Sequence, residues 1–97
     1  MTTITREEFA RICEGLCRDR TAIIKHNPIG TPEEVMLRML LSCLVSYLNL
    51  EDIETPCFTG RPNADTYREA LIFILRERRS ESFDIGPFLD KLVENDS

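Results

Sequence analysis

The sequence predicts an all-α fold, a compact bundle of four helices over residues 6–25, 32–50, 64–79 and 85–94, with the second helix central. Three observations predict it. Apolar residues recur at three- and four-residue spacing in four separate stretches. No stretch alternates apolar and polar residues as a half-buried strand would. The turn-forming residues fall between the stretches, at Asn27, Pro28 and Gly30 and again within residues 51–62. Residues 1–97 make one domain, whose 42% hydrophobic and 30% charged residues suit a folded core rather than a disordered chain.

The first helix has a strong start signal. Thr5 and Glu8 form a capping box, in which each side chain bonds the other's backbone N–H, and Ile4 is placed to staple onto Phe9. Phe9, Ile12, Cys13, Leu16, Cys17, Ile23 and Ile24 share a face, with Glu7, Arg11, Glu14, Arg18 and Lys25 opposite. The helix stops before Pro28, which disfavours helix in the preceding residue, and Gly30, which accepts positive φ.

Thr31, Pro32 and Glu34 start the second helix, as an N-cap hydroxyl, a proline in the first turn and an acid behind it. At about 100° per residue, its apolar side chains from Met36 to Leu50 fill an arc of about 200°, roughly twice what a surface helix needs. Such a helix is either wrapped by its own chain or placed at a subunit contact. Residues 51–62 hold two prolines and a glycine and read as a crossing loop, with Phe58 and Ile53 expected to plug the core edge.

The third helix takes Asn63 or Asp65 as its cap and buries Tyr67, Ala70, Leu71, Ile74 and Leu75 along one face. Arg76, Arg78 and Arg79 suit the negative end of its dipole. The last helix carries a narrow stripe of Ile85, Phe88, Leu89, Leu92 and Val93, the pattern of a lid.

Composition weighs against some functions. A formal net charge of -5, from 17 acidic and 12 basic side chains, argues against nucleic acid and anionic lipid as partners. The start MTTITREEF does not read as a signal peptide, and the longest apolar stretch is interrupted by Arg38, so a cytoplasmic location without membrane insertion is expected. The four cysteines, at 13, 17, 43 and 57, are then expected to be reduced and mostly buried.

Four constellations could carry chemistry. Arg20 falls on the apolar face of the first helix, among Leu16, Phe9, Cys13 and Ile24, so it must snorkel, pair with an acid from residues 51–54, or hold an anion or a partner carboxylate. Cys13, Cys17, His26 and Cys57 are residue types that zinc accepts, but their spacing supplies only one close ligand pair, and core thiols explain them; no metal or cofactor is assigned. His26 stands on a polar arc away from the core-facing thiols, so no catalytic set is assigned either. Arg61, Arg68, Arg76, Arg78 and Arg79 form a basic run, interleaved with Glu69, Glu77 and Glu81 in the manner of a solvated helix end.

The apolar excess points further. Ile72 and Phe73 lie off the core stripe of the third helix, ringed by Arg68, Glu69, Arg76 and Glu77, which is how a contact site with a polar rim reads. The leading reading is a small cytoplasmic interaction or regulatory module. It would act through protein–protein contacts as a homodimer and with another protein, its interface drawn from Phe73, Ile72, Met36, Leu40 and Tyr47. A nucleic-acid-associated regulator using the five arginines is one alternative. A small-ligand binder or enzyme with Arg20 as anion anchor is another.

Overall fold

The computed structural model describes residues 2–50 and 62–94, and all of their regular elements are helices. There are five among the described residues: α1 (Arg6–Arg18), α2 (Arg20–His26), α3 (Pro32–Tyr47), α4 (Ala64–Arg78) and α5 (Gly86–Val93). The expected helix over 6–25 is therefore two helices, divided at Asp19. There the backbone turns to φ -93° and ψ 10°, while the Asp19 N–H still reaches the Gly15 carbonyl at 3.1 Å. Aspartate is a weak helix former, and the glycine four residues earlier weakens the same turn. The bend lets α1 and α2 each pack against α3, which one straight rod could do less well.

The start signals act as their chemistry requires. The Thr5 hydroxyl accepts from the Glu8 N–H at 3.1 Å, and the Glu8 carboxylate accepts from the Thr5 N–H at 3.0 Å. The Thr5 N–H, and after it the Thr5 hydroxyl, hold the Glu8 carboxyl below its ordinary value. Thr31 caps α3 by accepting from the Glu34 N–H at 3.2 Å. Asn63, rather than Asp65, caps α4, accepting from the Thr66 N–H at 3.0 Å. Gly30 stands at φ +95°, where a Cβ would meet the Glu34 carboxylate at 2.6 Å.

α3 ends at Tyr47, three residues earlier than the apolar pattern suggests. Asn49 takes the left-handed conformation at φ 53°, its N–H bonding the Ser46 carbonyl, and the Leu50 N–H reaches back to Val45 at 3.2 Å. This pair of bonds is a Schellman motif, with asparagine where glycine is commoner. Leu50, though outside the helix, stays buried at its end.

α3 is the centre of the fold and touches all four other helices. Leu37, Leu40 and Leu44 are completely buried, Leu48 is 1% exposed, and Met39, Leu41, Cys43 and Val45 are half-buried against the same core. Its wide apolar arc is thus used within one chain. A second junction has no signature in the periodicity: Ile4, completely buried, pairs with Arg79 in an isolated parallel bridge, donating to the Arg78 carbonyl at 2.8 Å and accepting from the Ser80 N–H at 2.9 Å. Phe9, Phe83 and Phe88 close the end of the core, with ring centroids 5.3 to 6.3 Å apart. Such aromatic packing ties α1, the 79–85 segment and α5 together.

The expected core plugs Ile53 and Phe58 lie outside the described residues. None of the helices among the described residues is long and apolar enough to cross a membrane.

Candidate functional site: the outer face of α4

α4 lies against α3 with one side and leaves the other to solvent. Tyr67, Ala70, Leu71, Ile74 and Leu75 are buried, as their spacing predicts. Asp65, Glu69, Ile72, Phe73, Arg76 and Glu77 make up the outer face, where Ile72 is 51% and Phe73 54% exposed. Two large apolar side chains are therefore adjacent, half in water and flanked by charge of both signs. A recess of about 460 Å³ runs beside Ile72 between α4 and the start of α5, with Leu75, Ile85 and Leu89 in its lining.

The five residues expected at an interface do not come together. Met36 and Leu40 are completely buried by their own chain and offer no surface. Tyr47, 40% exposed, lines a shallow recess between α1 and α3 with Ile12 and Cys43. Ile72 and Phe73 alone of the five share one outer face. The sequence could not separate these cases, because a wide apolar arc looks the same whether four helices of one chain or a second copy covers it.

Arg20 has a structural role that its position on the apolar face foreshadows. Its Nη1 donates to the Leu92 carbonyl at 3.1 Å and to the Glu94 carbonyl, at the end of α5 where four carbonyls lack helical donors. The acid expected for it, from residues 51–54, falls outside the described residues, as does Arg61.

The other arginines of the basic run are largely engaged by the chain. Arg68 bridges Glu33 of α3 and Asp90 of α5, each at 3.5 Å. Arg78 donates to the Thr2 carbonyl at 3.3 Å. Arg79 donates to the Leu75 carbonyl at 3.2 Å and to that of Phe83, with its guanidinium 5.5 Å from the Phe83 ring centroid. Guanidinium groups held this way have less freedom to track a phosphate backbone.

A larger groove, of about 660 Å³, runs between α1 and α5. Cys13, Cys17, Phe83 and Phe88 form its floor and Arg6 and Lys91 stand at its edge, but Arg20 takes no part in it. Burial first, then the neighbouring Cys17, Glu14 and Cys43, pushes the Cys13 thiol up to about 12, so it is a protonated and unreactive group at neutral pH. Burial also raises the Cys43 thiol. No cluster of three or more histidine, cysteine, aspartate or glutamate side chains suited to a metal is present among the described residues.

Comparison with protein-family models, with curated proteins and with solved structures returned no match for this chain.

Proposed function

We propose that the chain is a small helical interaction module that acts through protein–protein contacts, and that it self-associates through the outer face of α4. The observation that carries this reading is the exposure of Ile72 and Phe73 side by side, 51% and 54%, whereas the other exposed large apolar side chains among the described residues stand apart, Ile29 in the α2–α3 connection and Tyr47 at the end of α3. Leaving the pair wet forgoes burial that a second surface would supply, at about 25 cal/mol per Å² of apolar area. The charged residues around them provide the polar rim that specific contacts use.

Regulation is the role such a module would serve: a domain of 11.2 kDa with a contact face can hold or release another protein according to its own association state. A cytoplasmic setting with reduced thiols fits this reading.

The reading is tested by light-scattering mass as a function of concentration. The mass should rise from 11.2 kDa toward twice that value. A one-chain mass up to millimolar concentration would remove self-association from it.

A further inference from the structure

We infer that two copies of α4 pair antiparallel about a two-fold axis that passes between Ile72 and Phe73. The inference rests on the self-association reading above and adds to it an orientation, a register and two ion pairs.

Charge along the outer face of α4 sets the orientation. In a helix that rises about 1.5 Å per residue, Glu69 lies about 5 Å before the midpoint of Ile72 and Phe73, and Arg76 about 5 Å after it. At about 100° per residue, Glu69 and Arg76 also project within about 20° of one another, between the directions of Ile72 and Phe73. Both are exposed. A two-fold axis perpendicular to the helix at that midpoint sets Glu69 of one copy level with Arg76 of the other, and Arg76 with Glu69. Phe73 then meets Phe73 and Ile72 meets Ile72 beside the axis, which is the self-complementarity an isologous contact requires.

Other arrangements fail on the same residues. A parallel pair would set Glu69 against Glu69 and Arg76 against Arg76. Moving the antiparallel axis onto Phe73 sets Glu69 against Glu77, and moving it onto Ile72 sets Arg76 against Arg68. Like charges facing one another at a contact disfavour it, so the charge pattern selects one register. Because the contact is one helix face wide, it belongs with small, weak interfaces, and micromolar dissociation is expected.

Charge reversal with mixing tests it. A dimer of Glu69→Arg chains sets two basic side chains against one another at each of the two pairs, and a dimer of Arg76→Glu chains sets two acidic ones there. Each variant alone should therefore self-associate about tenfold or more weakly than wild type. An equimolar mixture of the two restores opposite charges at both pairs of the heterodimer and should recover wild-type association. Helical circular dichroism of each variant checks that it folds.

A second measurement keeps the wild-type charges. In the Arg76→Lys variant, a zero-length carbodiimide should join Glu69 of one copy to the introduced lysine of another, read between isotopically distinct copies. Reading the product between isotopically distinct copies sets aside any join within one helix, where positions 69 and 76 are about 10 Å apart. Recovery on mixing together with that inter-copy cross-link supports the register. A wild-type dimer that keeps its association in both variants, or whose Arg76→Lys form gives no such cross-link, overturns the register while leaving self-association intact. A wild type that stays at one chain overturns both, and leaves the face to a different protein.

Discussion

The Arg20 guanidinium closes the carboxyl end of α5, Nη1 donating to the Leu92 carbonyl at 3.1 Å from a helix 72 positions away in sequence. A cation at the negative end of a helix dipole both neutralises the dipole and occupies carbonyls that have no helical donor. The side chain that looks misplaced on the apolar face of the amino-terminal segment is therefore the clamp on the last helix.

Arg20→Met should accordingly lower stability by about 1–3 kcal/mol, through the lost charged hydrogen bonds and the carbonyls left without a donor. Thermal melting measures the loss, and hydrogen exchange should show α5 opening more readily than α3. Unchanged melting with loss of a binding partner would instead assign Arg20 to function.

Asn49 tests the end of α3. At φ 53° its backbone suits glycine at least as well, so Asn49→Gly should leave stability within a few tenths of a kcal/mol, whereas the β-branched Asn49→Val should cost about 1–2 kcal/mol. Denaturant midpoints of the two variants check both halves of the expectation.

Phe9 is completely buried and touches the rings of both Phe83 and Phe88, at 5.8 and 5.3 Å between centroids. Phe9→Ala should cost about 3–5 kcal/mol, a large share of the stability of a domain this size, and should leave the protein partly unfolded in mild denaturant. Urea titration of the variant decides it.

The Cys13 thiol gives stability a defined alkaline limb. Its folded value lies at about 12, above the ordinary thiol range, because burial disfavours the thiolate. The unfolded chain releases that proton first, so the contribution is complete below the ordinary thiol pKa and is lost as pH rises from there toward about 12. Wild type should lose stability across this window more steeply than Cys13→Ala, even though the variant starts lower. Parallel melting curves against pH would show slopes of equal steepness if the thiol has no such role.

Much of the fold is legible because local devices announce themselves in sequence. Thr5 with Glu8, Thr31 with Pro32, and Asn63 mark three helix starts by chemistry that acts over three or four residues. The bend at Asp19 and the stop at Asn49 are not legible, since each rests on a weak local preference of a residue that helices also tolerate. The Ile4–Arg79 bridge and the place of Phe83 are hidden for the same reason: neither has a periodic neighbour to signal it. Of the candidate site, Ile72 and Phe73 stand out because they break the stripe of α4. Met36 and Leu40 cannot be told from them, because a surplus of apolar surface does not say which neighbour will cover it.

The central claim is that Phe73 serves a contact between copies and not the core of one. The most direct measurement is the light-scattering mass of Phe73→Asp at a concentration where the wild type is dimeric, alongside its melting temperature. Phe73→Asp should have a mass of one chain, with melting and helical content close to those of wild-type monomer, since a side chain 54% exposed carries little of the fold. A dimeric Phe73→Asp, or one that is monomeric only because it has unfolded, would contradict it.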